Sequence, residues 1–153
     1  MVALGTTAET PALSGSEKEA ILRFVVERSA GRVPVIAGLG GNSTADVVSA
    51  LRSANLDGVD AVLSVTPYYN KPSQEGIYRH YKALAEASPC GIVLYNVPGR
   101  TGVNMTAQTV LRLAHDCGNI IGVKEASGNL SQAAYILKGR PEGFAVISGD
   151  DSL

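Results

Sequence analysis

Short apolar runs alternate along this chain with longer segments whose apolar residues recur every three or four positions. Val2 to Gly5 reads as a strand running into Thr6-Thr7. Ser14-Gly15-Ser16-Glu17 then has the S-x-x-E form of a capping box, and Ile21, Phe24, Val25 and Arg28 follow at helical spacing until Gly31. Val33 to Ala37 begins a second strand, which ends in Gly38-Leu39-Gly40-Gly41-Asn42-Ser43 before a helix carrying Val47, Val48 and Leu51. Ala61 to Val65 is a third, ending in Thr66-Pro67-Tyr68-Tyr69-Asn70, with Ser73 capping a helix whose Ile77, Tyr81, Leu84 and Ala85 share one face. Ile92 to Tyr95 makes a fourth, ending in Asn96-Val97-Pro98-Gly99-Arg100; Thr106 caps the helix after it, and Gly118 is its stop. Ile120 to Ala126 is the fifth strand, followed by a helix around Ala133 to Lys138. Phe144 to Ser148 is a sixth, leading into Gly149-Asp150-Asp151.

Strands that recur roughly every 24 to 31 residues, each followed by an amphipathic helix, describe βα units around a parallel sheet. Two architectures satisfy this pattern: a doubly wound open sheet and a (β/α)8 barrel. Both collect the C-terminal ends of the strands on one rim. That rim would hold Thr6, Thr7, Tyr68, Tyr69, Tyr95, Arg100, Lys124 and Asp150.

The fifth strand carries the one lysine that interrupts an apolar run. Alternation puts Gly122, Lys124 and Ala126 on one face and Ile121, Val123 and Glu125 on the other. Small neighbours on the lysine's face would leave room for a ligand at its amine. A free lysine amine has a pKa near 10.4, so about one in 2,500 is unprotonated at pH 7, and burial in an apolar wall is the usual way to raise that fraction. A strand-end lysine reaching out to solvent is the ordinary alternative.

Composition narrows the partners. The chain has 153 residues, 45% of them hydrophobic, and a net charge of −1 from interspersed charges, enough for one sizeable core and without a basic run for nucleic acid or membrane lipid. Small neutral or anionic metabolites fit better. Met1 to Gly15 has no basic n-region, and no apolar run is long enough to span a bilayer, so a cytoplasmic protein is expected. Cys90 and Cys117 are isolated, outside any CxxC pattern, and read as reduced packing residues.

The glycine-rich Gly38 to Ser43 loop invites a nucleotide reading, but Ser43 stands where the last glycine of G-x-G-x-x-G belongs, and a tight glycine turn needs no ligand. Thr6 and Thr7 are ordinary turn residues when taken alone. On one rim with Tyr69 and Tyr95 they could pass a proton or hold a carboxylate. Arg100 is either a solvated loop charge or a fork that binds a substrate carboxylate by two hydrogen bonds.

Five spaced motifs resemble those of the pyruvate-dependent class I aldolase family that contains the dihydrodipicolinate synthases and N-acetylneuraminate lyase. They are Gly5-Thr6-Thr7-Ala8-Glu9-Thr10, Thr66-Pro67-Tyr68-Tyr69-Asn70-Lys71-Pro72, Tyr95-Asn96-Val97-Pro98-Gly99-Arg100-Thr101-Gly102, Gly122-Val123-Lys124-Glu125-Ala126 and Ser148-Gly149-Asp150-Asp151. The resemblance covers essentially the whole chain and implies an α/β fold of the (β/α)8 TIM-barrel type. It implies condensation of pyruvate with aspartate 4-semialdehyde to 4-hydroxy-tetrahydrodipicolinate, in lysine and diaminopimelate biosynthesis. In it Lys124 is the Schiff-base lysine and Tyr95 the proton donor and acceptor. Thr6 links Tyr95 to Tyr69 in a proton relay, with Tyr69 reaching into a neighbouring subunit. Thr7 holds the pyruvate carboxylate and Arg100 that of the semialdehyde. Neither cofactor nor metal is expected, and the full-length form is expected to be a homotetramer, a dimer of dimers.

Arg100 favours the synthase over the sialic acid lyases, which resemble the chain elsewhere; another pyruvate-dependent aldolase, such as an N-acetylneuraminate or keto-sugar-acid lyase, is the alternative within the family, and a noncatalytic ligand-binding module the alternative from another class. Ala8 stands where the family usually has glycine, which strains the threonine turn if that position needs a positive φ. A lysine feedback site is partly matched: Asn42 and Tyr68 fit, Asp46 is a shorter acid, and Gly15 and Lys18 replace histidines. By resemblance, 1–153 is a single partial-barrel domain, a fragment of about six βα units with the first unit and the last parts missing. As a separate chain it is expected to form little pyruvate adduct at neutral pH.

Overall fold

The computed structural model describes residues 1–150; Asp151, the last residue of the fifth motif, lies outside the described residues. Six strands, β1 (Val2–Ala3), β2 (Ile36–Gly38), β3 (Ala61–Val65), β4 (Gly91–Asn96), β5 (Ile120–Glu125) and β6 (Ala145–Ser148), form one sheet in the order β1-β2-β3-β4-β5-β6. Every pairing is parallel. The order separates the two architectures the pattern allows. A doubly wound sheet reverses its direction of growth partway, whereas here each strand lies beside its predecessor, as in a (β/α)8 barrel. The fold is therefore a six-stranded parallel α/β fold of the barrel type.

The helices are α1 (Gly15–Ser29), α2 (Thr44–Ser53), α3 (Gln74–Ala87), a short α4 (Pro98–Thr101), α5 (Ala107–Asp116) and α6 (Leu130–Gly139). Their starts follow local chemistry. Ser14 Oγ accepts from Glu17 N while Ser14 N donates to the Glu17 carboxylate, the reciprocal capping box. Ser43, Ser73, Thr106 and Asn129 cap the next four long helices by the first of these bonds, each side chain accepting from the backbone N–H three residues on. Helices α2, α3, α5 and α6 pack side by side along one face of the sheet. There Val62, Ile92, Leu94 and Val123 meet Leu51, Ile77, Tyr81, Leu84, Val110, Leu113 and Ile136 in the main core. The alternate residues Ala61, Leu63, Val93 and Tyr95, with Val97, form a smaller cluster on the other face, which carries no helix.

Several local expectations are corrected. The buried stripe of α1 is Leu22 with Val25, Val26 and Ser29, whereas Ile21 is exposed and Phe24 is 60% exposed. The helix is rotated about one residue from the predicted face, because Leu22 is the residue that reaches Ala3, Val35 and Ala37. The second strand begins only at Ile36, since Pro34 has no N–H to give and Val35 N donates instead to Asp60 Oδ2 at 2.7 Å. Two 3-10 turns, Thr6–Ala8 and Thr10–Ala12, and helix α4 occupy segments read as plain loops. Ala8 lies inside the first turn, and the left-handed residue is Glu9, at φ 53°, so the alanine brings no strain. In the glycine-rich loop a Cβ on Gly38 would stand 1.9 Å from Leu4 O, and one on Gly40 2.9 Å from Val65 N. Close approach of backbones accounts for those glycines. Both cysteines are free, Cys117 buried and Cys90 half-buried, and loss of solvent pushes both thiols up. Among the described residues no helix is long and apolar enough to cross a membrane.

Candidate functional site

The site is built where β4 and β5 end. Tyr95 and Lys124 are register partners in the parallel ladder, so both side chains leave the sheet on the face without helices. The register slips between Ile92 and Val93, where Ile92 pairs with Ile120 but Val93 with Gly122. This irregularity corrects the simple alternation. Ile120 takes the core position expected for Ile121, and Ile121 is left 42% exposed against Gly91. Beyond the slip the predicted alternation holds, with Gly122 and Lys124 on one face and Val123 and Glu125 on the other. Lys124 Nζ lies 4.6 Å from the centroid of the Tyr95 ring, within reach of its electron-rich face. Tyr95 is buried and Lys124 half-buried. The room that the small neighbours seemed to leave is partly taken: a Cβ on Gly122 would stand 2.8 Å from Ala145 O of β6, and one on Gly149 2.5 Å from the Cβ of Ala126.

A cavity of about 280 Å³ opens beside the tyrosine, with Thr6, Leu63, Tyr68, Tyr95 and Arg100 among its walls. Four residues of the predicted rim are thus gathered at one opening. Lys124 adjoins it through Tyr95. Thr6 is held by the first 3-10 turn, which Thr10 Oγ1 anchors by donating to Leu4 O and Gly5 O at 2.9 and 3.0 Å. Arg100 stands on α4, where its N–H and that of Thr101 both donate to Val97 O. Gly102, at φ 73°, ends that helix. Thr7 and Tyr69 lie outside the cavity wall. Tyr69 is 86% exposed, at φ 70°, with its N–H donating to Thr101 O at 3.3 Å. Its ring is presented outward. Asp150 caps the end of β6, its N–H donating to Ser148 Oγ at 3.0 Å.

Sequence reasoning missed a polar network directly behind this pair. Asn96 and Glu125 are also register partners, one residue beyond Tyr95 and Lys124, and both are buried on the helix-covered face with Gln132 and Asn104 around them. The signal was available: a carboxylate on the core face of an apolar strand needs partners. Elsewhere, a second cavity of about 610 Å³ between α1, β2 and α2 brings Gly15, Lys18, Asn42, Asp46 and Tyr68 together, all five positions of the partly matched feedback site. Next to it in the core, burial lowers His80 from 6.5 to about 4, and its Nδ1 lies 2.8 Å from Thr44 Oγ1. Among the described residues no group of three or more His, Cys, Asp or Glu side chains could hold a metal ion.

The model of the dihydrodipicolinate synthetase family matches residues 1–153. A 4-hydroxy-tetrahydrodipicolinate synthase of Parabacteroides distasonis is 60% identical over 153 residues, which are 100% of this chain and 52% of that protein. Among solved structures, the dihydrodipicolinate synthase of Aquifex aeolicus superposes with a TM-score of 0.93 at 44% identity, over 99% of this chain and 52% of that one. A chloride-inhibited dihydrodipicolinate synthase of Acinetobacter baumannii, complexed with pyruvate, gives 0.92 at 45% identity over 98% of this chain and 51% of that one. The chain spans about half the length of the curated relatives it matches.

Proposed function

Because this chain belongs to the dihydrodipicolinate synthetase family, we propose that it carries the Schiff-base machinery for condensing pyruvate with aspartate 4-semialdehyde, with Lys124 as nucleophile. The observation that carries the proposal is the in-register pair of Tyr95 and Lys124 beside a cavity walled by Thr6 and Arg100. The pyruvate complex of the Acinetobacter relative, which matches nearly all of this chain, supports pyruvate as the first substrate.

The chemistry follows from the residue types. The Lys124 amine adds to the keto carbon of pyruvate, and loss of water leaves an iminium that draws electrons from the adjacent methyl group. Removal of a methyl proton gives an enamine, whose carbon attacks the aldehyde of the second substrate. The substrate's own amino group then closes the ring at the former keto carbon and displaces the lysine, yielding 4-hydroxy-tetrahydrodipicolinate. Tyr95, whose ring adjoins Nζ, would hand protons to and from the imine centre, and Thr6 lines the same cavity. Thr7 and Arg100 would anchor the two carboxylates, and the guanidinium fork matches an acid such as the semialdehyde.

Tyr69 acts in this reading from one copy on the site of another. Its outward, exposed ring supports that assignment, since within its own chain it does not wall the cavity. A homo-oligomer, tetrameric in the full-length protein, working on soluble metabolites in the cytoplasm completes the proposal.

Cyanoborohydride trapping tests it. Hydride reduces a lysine–pyruvate iminium to a stable secondary amine, which peptide mass spectrometry assigns to one residue. The expected result is an adduct on Lys124 that is absent in Lys124→Arg and forms more slowly than in the Parabacteroides enzyme, because half-exposed Lys124 faces solvent as well as Tyr95. An adduct that persists in Lys124→Arg would refute the assignment. Condensation with aspartate semialdehyde but not cleavage of N-acetylneuraminate then separates the synthase from the lyases.

A further inference from the structure

Lys124 and Tyr95 stand one residue short of the ends of their strands, and the ladder closes just beyond them, with Ala126 N donating to Asn96 O at 2.8 Å. A side-chain network on the opposite face ties the same strand ends together a second time. The Asn96 Nδ2 amide donates to both oxygens of Glu125, at 3.0 and 3.1 Å, and to Asn104 Oδ1 at 2.8 Å. Its Oδ1 accepts from Met105 N at 2.9 Å. Glu125 in turn accepts from Ser127 N at 2.8 Å and from Gln132 Nε2 at 2.8 Å. Asn96 is completely buried and Glu125 nearly so. The network therefore joins four segments: the end of β4, the end of β5, the chain entering α5 and the first turn of α6.

We infer that Glu125 is a positioning residue: with Asn96 and Gln132 it clamps the ends of β4 and β5 on the covered face and so sets the separation of Tyr95 and Lys124 on the open face. The geometry gives two reasons. Asn96 and Glu125 are each one residue beyond the reacting pair, so a shift at either alters the backbone from which Tyr95 and Lys124 project. The four contacts to the carboxylate are all donated by N–H groups, an arrangement that an amide or an alkyl side chain cannot reproduce. An alanine would take the acceptor from Ser127 N and leave Asn96 Nδ2 and Gln132 Nε2 only their contacts to Asn104 Oδ1 and Met105 O, and the strand ends would relax toward that arrangement.

The inference rests on the Schiff-base reading of Lys124, and the test keeps the two apart. The chain and its Glu125→Ala, Glu125→Gln and Gln132→Ala variants are incubated with pyruvate and cyanoborohydride, and the initial rate of adduct formation on Lys124 is measured well below each melting temperature. Displacement of a reacting pair by about 1 Å costs on the order of a hundredfold, so Glu125→Ala is expected to lose roughly ten- to a hundredfold in rate, with the milder Gln132→Ala between it and wild type. The readout that a purely structural role would not move is coupling to the tyrosine. In Tyr95→Phe the further loss on adding Gln132→Ala or Glu125→Gln is expected to shrink severalfold, because the network acts by placing a group already impaired. Folded variants that trap pyruvate at the wild-type rate, or effects that simply multiply with Tyr95→Phe, overturn the role of Glu125 and leave the nucleophile standing. A wild-type chain without any adduct on Lys124 overturns both.

Discussion

The two faces of the same three central strands live in different surroundings. On the covered face Val62, Ile92, Leu94 and Val123 are buried under α2, α3 and α5, joined at the strand ends by the hydrogen-bonded pair of Asn96 and Glu125. On the open face the alternate residues Ala61, Leu63, Val93 and Tyr95 form a small cluster that ends at half-buried Lys124 and a cavity. Successive residues of one strand thus divide between the helix-covered core and the open face beside the cavity. The difference teaches where substitutions should be felt. Removing atoms from the covered face should cost stability, and changing polar groups on the open face should cost reactivity.

The strongest challenge to that division is Leu94→Ala. Leu94 is fully buried in the main core, and truncation there is expected to cost about 2–5 kcal/mol in urea denaturation. Val93→Ala, one position back on the open face, removes two methyl groups and should cost only about 1–2 kcal/mol. Equal losses at the two positions would show that both faces are packed alike.

Acid should act on the covered face through His80. Its folded-state value of about 4 lies below the ordinary 6.5 because burial disfavours the imidazolium. Above pH 6.5 the ring is neutral in both states and no penalty arises. As pH falls from 6.5 to 4 the unfolded chain takes up a proton that the folded chain refuses, so stability declines and then levels once the folded ring also protonates. The shift corresponds to a loss on the order of 3 kcal/mol across that window. Denaturation midpoints at pH 7 and pH 4.5 measure it, and His80→Gln should flatten the difference.

Tyr95→Phe is expected to have the smallest effect on stability, within about 1 kcal/mol, since the ring and its burial are retained. Its effect on pyruvate trapping should be roughly a hundredfold if the hydroxyl transfers protons. A melting curve and a trapping rate on the same sample check both parts. A variant that melts early yet traps normally would reverse the roles assigned to the two faces.

Most of the fold was legible because its signals are local. Ser14 with Glu17, Ser73, Thr106 and the apolar runs specify helix starts and strands within a few residues of themselves. The α1 face was misread because Ile21, Phe24 and Val25 satisfy the same periodicity as Leu22, Val25, Val26 and Ser29, and only the neighbouring strands select between the two stripes. The site was legible in part for the same reason. Parallel strands force Thr6, Tyr95, Arg100 and Lys124 onto one rim, but which of them wall a cavity depends on the short Thr6–Ala8 turn and the Pro98–Thr101 helix that carry Thr6 and Arg100.

The sequence by itself determined the succession of βα units, the strand that bears Lys124 and the face that residue takes, since periodicity and caps act over a few positions. It also carried, in five spaced motifs, the family to which the chain belongs. Only the tertiary structure decided the sequential strand order, the register slip that exposes Ile121, the 4.6 Å approach of Lys124 to Tyr95 and the clamp of Glu125 on Asn96. Each of those joins residues from different strands or helices, and contacts of that kind are set by which backbones lie side by side, which no local pattern encodes.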